Sequence, residues 1–301
     1  MDASVEIVRH LLPAVVHIHA TVARDHPSTQ ILGNDRLGSG VVVDASGLIL
    51  TVNYVVMGAQ SIEVAFIKGR RTRAELVAQD FEVGLALLKV KRQGLPAVAL
   101  GNDDALEPGS SVIALASTGT QERRVAGGLV ISVGEFEAYW EYLLDRSIVA
   151  SAPNPGFGGG GLFTLTGALV GVLSLNLNEI ARSSLAIPAD YYRKHEHELL
   201  RYGRVVSRPR RARLGVFAHP VEEGVIVAGV VPDGPGDRGG LQEGDLIVSL
   251  NAEEVASRRD LYLRLWRHEP GASLILEVMR DSKVRRVEVR GGDRAYFFRQ
   301  L

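Results

Sequence analysis

The sequence predicts a mostly β protein built as two units, and three observations carry that reading. Short runs rich in Val, Ile and Leu recur through residues 14–190: AVVHIHAT, SGVVVD, LILTVN, SIEVAF, LALLKV, SVIALA, GLVISV and ALVGVLSL. Glycine or Asp/Ser turn signals separate many of them, which is the pattern of barrels or of a sandwich. At 201–213 the composition changes to RYGRVVSRPRRAR, six arginines without an acid. With its Gly and Pro this reads as a linker, a solvated basic connector or a contact for phosphate or acidic partners. Beyond it, GVIVAGVV, DLIVSL, SLILEVMR and VRRVEVR read as strands, so 214–301 fits a small half-open β barrel with a helix or two.

The connections follow in order. DASG at 44–47 is a tight turn between two strands. ADYYRKHEHELLRY at 189–202 places apolar and aromatic residues three and four apart and predicts an amphipathic helix. PDGPGDRGG reads as a turn-rich loop. SRRDLYLRLWRH predicts a helix with Leu261, Leu265 and Trp266 on one face.

Composition narrows the function. The chain has 301 residues, 46% of them hydrophobic, enough for two domains. A formal net charge of −1 gives no global field to recruit nucleic acid or an anionic membrane. Without cysteine there are no disulfides and no thiolate metal sites. No apolar run reaches membrane-spanning length. The N-terminal MDASVEIVRHLLPAVVHIHA lacks the order of a secretory signal. Two expectations stay open: a cytoplasmic protein, or one whose signal was removed.

Two clusters invite a ligand reading. PNPGFGGGGLF at 153–163 runs four glycines together with no reactive side chain. A phosphate cradle would be followed by Lys-Ser/Thr and a helix, and neither follows here. His17 and His19 share one face of a strand, and His195 and His197 lie on different faces of a helix. Neither pair has a third ligand nearby in sequence, so no metal and no cofactor is expected.

Three segments then line up in order. GSGVVVDASGLILTVNYVV (38–56), VGLALLKV (83–90) and PNPGFGGGGLFTLTGALVGV (153–172) resemble the segments around the catalytic His, Asp and Ser of HtrA/Deg trypsin-like serine proteases. LPAVALGNDDALEPGSSVIALA (95–116) and LAIPAD (185–190) add to the match, and 214–290 resembles a PDZ domain. The resemblance implies a trypsin/chymotrypsin-like domain of two six-stranded barrels over 1–200, an Arg-rich linker over 201–213, a PDZ domain over 214–291 and a tail over 292–301.

The departures from that family are at its centre. The positions of its His, Asp and Ser hold Tyr54, Gly84 and Gly158, separated by 30 and 74 residues. A glycine cannot attack a carbonyl or orient a base, and a tyrosine is a poor general base at neutral pH. The resemblance so altered implies a protein that is not an enzyme, with Gly156, Phe157 and Gly158 as a remnant of the oxyanion loop. Phe157 either plugs the old cleft or forms an exposed apolar contact. A rebuilt endopeptidase site using Ser117 or Ser151 with Lys89 is one alternative, and a metal- or anion-binding scaffold in an empty cleft is another.

The PDZ-like part implies binding of peptide or protein C-termini by strand addition. Leu214, Gly215 and Val216 match the carboxylate loop and the start of the binding strand, Phe217 continues it, and Leu261 and Leu265 line the side-chain pocket. The expected role is a scaffold, chaperone-like or regulatory module in bacterial protein quality control, with an active HtrA relative as a further partner. The tail AYFFRQL, ending on apolar Leu301, is a candidate for self-recognition. Residues 1–37 contain no Phe, Tyr or Trp, unlike the aromatic trimer contacts of the family, which favours a monomer. The resemblance also implies a periplasmic or other extracytoplasmic location.

Overall fold

A computed structural model describes residues 3–67, 71–177 and 182–299. It divides into two compact units, one holding most of the chain up to Val206, the other formed by Phe136–Leu144 with the chain from Ser207 onward.

The first unit begins with α1 (Ala3–Leu11) and β1 (Val15–Val22), then α2 (Thr29–Leu32), β2 (Asp35–Asp44), β3 (Leu48–Val52), α3 (Asn53–Val56), β4 (Ala59–Ala65), β5 (Arg71–Asp80) and β6 (Leu85–Val90). The strands close in the order β1-β2-β3-β6-β5-β4. β1 closes the ring by pairing on both edges, His17 opposite Ser39 of β2 and opposite Ala65 of β4. Ile18, Ile49, Leu87 and Leu88 are fully buried, and each such side chain contributes about 1.5–3 kcal/mol. The DASG turn forms as expected, with the Ser46 N–H donating to Asp44 Oδ1 at 2.7 Å.

A second closed barrel is built from β7 (Ser111–Ser117), β8 (Arg123–Ala138), β9 (Tyr142–Ala150), β10 (Gly161–Thr164), β11 (Leu169–Leu177) and β12 (Ser183–Pro188), in the order β10-β11-β12-β9-β8-β7. Ala114, Ile148, Leu162, Val170 and Leu173 form its core. α4 (Asp190–Tyr202) follows, and Gly203 ends it with its N–H on the Leu199 carbonyl at 3.0 Å.

The second unit contains β13 (Val216–Val221), β14 (Gly224–Val230), α5 (Pro235–Gly239), β15 (Leu246–Leu250), β16 (Glu253–Glu254), α6 (Arg258–Leu265), β17 (Ser273–Arg280), β18 (Lys283–Arg290) and α7 (Arg294–Arg299). Its sheet runs β13-β14-β15-β17-β18, with β16 on β15, which leaves β13 at an edge. Ser257 caps α6 by accepting the Asp260 N–H at 3.1 Å.

The structure differs from the sequence expectations at several boundaries. The stretch read as a linker over 201–213 starts inside α4 and ends inside the second unit, where Ala212 and Arg213 are buried. Arg211 and Arg213 lie 4.7 and 4.6 Å from the Trp266 ring centre, so the end of the basic island is packed on an aromatic, while Arg201, Arg204 and Arg210 are exposed. PDGPGDRGG contains α5, with Pro235 at its first turn. Residues 136–144, inside the span read as the first domain, pack with the second unit.

Candidate functional site

In the first unit, Tyr54 and Gly158 meet. α3 carries Tyr54 directly after β3, and the buried Arg36 fixes that turn by donating to the carbonyls of Tyr54 and Met57, each at 2.9 Å, and to that of Gly33 at 3.0 Å. Burial lowers the Arg36 pKa to about 10, still far above neutrality. The Tyr54 hydroxyl donates to the Ser174 carbonyl at 2.9 Å. Burial pushes its pKa up, so it stays a neutral donor. A Cβ built on Gly158 would lie 1.9 Å from that hydroxyl oxygen. Position 158 therefore has no room for a side chain while Tyr54 holds this rotamer.

Gly84 joins the same turn from the start of β6. Its carbonyl accepts the Asn53 N–H at 2.7 Å, and its own N–H donates to the Asp80 carbonyl at 2.9 Å. Its φ of 81° is the left-handed conformation that glycine adopts without strain.

The glycine loop is held by its own backbone. The Gly156 N–H donates to Asn154 Oδ1 at 3.2 Å and the Phe157 N–H to the Ser117 carbonyl at 2.9 Å. Those two donors, expected as a remnant oxyanion pair with Gly158, are engaged within the protein. Ser39 Oγ donates to the Phe157 carbonyl at 2.8 Å and lies 3.0 Å from Ser117 Oγ, which is 3.1 Å from His17 Nδ1. The Phe157 ring sits 5.7 Å from the His17 ring, tilted against it, beside this buried polar cluster. Ser117 is fully buried, Lys89 donates to Ser46 Oγ at 2.6 Å, and the Ser151 hydroxyl accepts the Leu129 N–H at 2.9 Å. The Ser-Lys arrangement read as an alternative is not assembled. Among the described residues no three His, Cys, Asp or Glu side chains group as metal ligands.

The second unit shows a groove with a carboxylate in it. The Leu214 and Gly215 N–H groups donate to the two oxygens of Glu141, at 2.8 and 2.9 Å. Ala218 of edge strand β13 donates its N–H to the Tyr139 carbonyl at 2.7 Å. The Phe217 ring meets Tyr139 edge-on at 5.8 Å. Val216, Leu261 and Leu265 are buried in one cluster with Leu214 and Leu143. Tyr262 donates its hydroxyl to the Ala138 carbonyl at 2.6 Å and accepts the Glu141 N–H at 3.0 Å. Arg213 donates to the Glu141 carbonyl. Burial pushes the Glu141 carboxyl up, while Arg213 and the two N–H groups work against that shift.

From sequence, Leu214 to Phe217, Leu261 and Leu265 are expected as the peptide site; Glu141, Tyr262 and Arg213, which the structure places around Leu214 and Gly215, are not. The only trace of the tip is an aromatic and acidic run, EFEAYWEYL, at 135–143. The tail residue Leu301 lies outside the described residues.

A trypsin-like architecture of two barrels followed by a small sheet domain with a carboxylate-holding edge loop defines a peptidase-PDZ class. The comparisons agree: residues 38–172 match the trypsin-like peptidase domain and residues 212–290 the PDZ domain. The chain thus has a trypsin-like domain followed by a PDZ domain and matches HtrA-type structures. It is 33% identical over 277 residues to a probable periplasmic serine endoprotease, DegP-like, of Ectopseudomonas mendocina, covering 85% of this chain and 56% of that relative. It thus spans just over half the length of that relative. It is 29% identical over 297 residues to the serine endoprotease DegS of Haemophilus influenzae, covering 94% of this chain and 85% of that one. Among solved structures, the HtrA-type protease AlgW with a decapeptide matches at a TM-score of 0.58 and 27% identity, over 97% of this chain and 98% of that one. The serine endoprotease from Yersinia pestis matches at 0.58 and 26%, over the same shares.

These findings correct one expectation from sequence. The three substituted positions lead to the expectation of a protein that is not an enzyme, yet its relatives are named serine endoproteases and its first domain matches a peptidase family. The comparisons group it with proteases. Side chains at three positions are a local property, and they carry nothing of the relationship that spans both domains.

Proposed function

We propose that this is an HtrA-type protein that recognises the C-termini of peptides or unfolded proteins through its PDZ domain, in a compartment outside the cytoplasm. One observation carries the reading: two adjacent backbone N–H groups, of Leu214 and Gly215, converge on a single carboxylate beside the edge strand β13. Strand addition uses those two parts, a carboxylate loop and a strand at the edge of a sheet, with an apolar pocket alongside. Relatives named as periplasmic endoproteases and a neighbour solved with a decapeptide support the compartment and the ligand class. Tyr54, Gly84 and Gly158 are read as the counterparts of the family's His, Asp and Ser, which their meeting around α3 supports.

The test is binding of the full chain to a pool of peptides with free C-termini and to the same peptides amidated. Micromolar binding that vanishes on amidation is expected. Equal binding of both forms would remove the carboxylate loop from the explanation.

A further inference from the structure

The carboxylate in the groove belongs to the chain itself. We propose that Glu137–Glu141, at the turn between β8 and β9, is a resident pseudo-ligand of the PDZ groove, and that C-terminal peptides bind by displacing it in the same register. This rests on the groove being the peptide site.

The register is set by three contacts. The Tyr139 carbonyl takes the Ala218 N–H, so Tyr139 lies against the middle of β13. Two residues further on, antiparallel to β13, Glu141 stands where a peptide would end. The tip cannot end there, because the chain continues into β9. It turns at Glu141, whose φ is 55°, and delivers a side-chain carboxylate to Leu214 and Gly215 in place of a terminal one. Leu143 belongs to the same buried cluster as Leu214, Val216, Leu261 and Leu265, the side an apolar terminal side chain would enter.

The rest of the tip extends the match. Tyr262 grips the segment at Ala138 and Glu141 with one hydroxyl. Arg258 at the start of α6 pairs with Glu137 at 3.0 Å. An acid four residues before the carboxylate is therefore the feature that this groove reads beyond the terminal residues. Carboxylate, strand hydrogen bond, apolar plug and distal acid are each supplied by one stretch of nine residues, Phe136–Leu144.

A tethered ligand competes at high effective concentration, and an incoming peptide binds only the fraction of molecules whose groove is open. The experiment uses the full chain, its Glu141→Ala variant and the fluorescein-labelled pentapeptide Glu-Ala-Tyr-Trp-Leu with a free carboxylate. Freeing the groove is expected to tighten binding by about tenfold or more in Glu141→Ala. Replacing the peptide's Glu by Gln is expected to weaken it, and the loss should vanish in Arg258→Gln. A second measurement needs no variant. In the wild type, hydrogen exchange at 137–142 should rise on adding peptide while Leu214 and Gly215 stay protected. Equal affinities for wild type and Glu141→Ala, with no change in exchange at the tip, would overturn the pseudo-ligand and leave peptide binding standing. No binding of any free-carboxylate peptide to either folded protein would overturn the groove reading itself.

Discussion

Gly158 and Tyr54 form a pair in which each residue dictates the other. A Cβ at position 158 would come within 1.9 Å of the phenol oxygen, so even a methyl group must move the tyrosine or the loop. Gly158→Ala is expected to cost about 1–3 kcal/mol, the usual penalty of overpacking. In a Tyr54→Phe background the same change should cost less, since the next ring atom is 2.9 Å away. Urea unfolding of the four proteins of that cycle reads the coupling, and strict additivity would mean that the loop relaxes independently of the ring.

His17 makes a second statement at this scale. Burial first, then Arg123, His19 and Arg71, lowers its pKa from 6.5 to about 4. The unfolded chain then binds the extra proton between those values. His17 contributes stability that is complete above about pH 6.5 and is lost as pH falls towards 4, roughly 3 kcal/mol in total. The loss of stability between pH 7 and pH 5 should shrink in His17→Gln, measured by urea midpoints of the first unit.

At the scale of elements, α3 and the hairpin tip are both short segments held by one buried polar group. Arg36 serves α3, and Tyr262 serves the tip. Tyr262→Phe removes a hydroxyl that bridges Ala138 and Glu141. It should cost about 1 kcal/mol or somewhat more, because two buried backbone groups lose a partner. The readout is faster amide exchange at 138–141, with the rest of the second unit unchanged. If exchange rises evenly across α6 and β17 instead, the hydroxyl supports the domain core rather than the tip.

The molecule as a whole is two units whose boundary does not follow the sequence. Leu143 belongs to the core that includes Leu214 and Leu274. Leu143→Ala should lower the stability of the second unit by roughly 2–5 kcal/mol. Both tryptophans of the chain, Trp140 and Trp266, lie in that unit, so tryptophan fluorescence follows its unfolding selectively. A shift of the first unit's transition instead would place Leu143 with the barrels.

The strands were legible because apolar runs and turn residues are local signals: β2, β3 and the DASG turn appear where the pattern puts them. α4 was legible through its spacing. The two barrels were expected only through the family resemblance, since the pairing of β1 with β4 is set by partners some forty residues apart. α5 was hidden in a Gly- and Asp-rich stretch that reads as a turn. The arginines at 211 and 213 read as solvated because charge is visible in a sequence and stacking on Trp266 is not. The PDZ domain was legible by its resemblance, and through it Leu214–Val216 as the expected carboxylate loop. Glu141 was not, because no sequence pattern links a carboxylate to N–H groups some seventy residues later.

That separation has a consequence for synthesis. Tyr139 and Leu143 leave the ribosome well before Phe217 and the β13–β18 core, which they meet in the folded unit, have been made. Domains fold as units during translation, N-terminal ones first. Until then the nascent chain carries Tyr139 and Leu143, beside Phe136, Trp140 and Tyr142, before Phe217 and the second unit's core exist. Such a patch is what chaperones bind and what aggregation starts from. The same nine residues that later fill the groove are, for that interval, the part of the molecule most in need of protection.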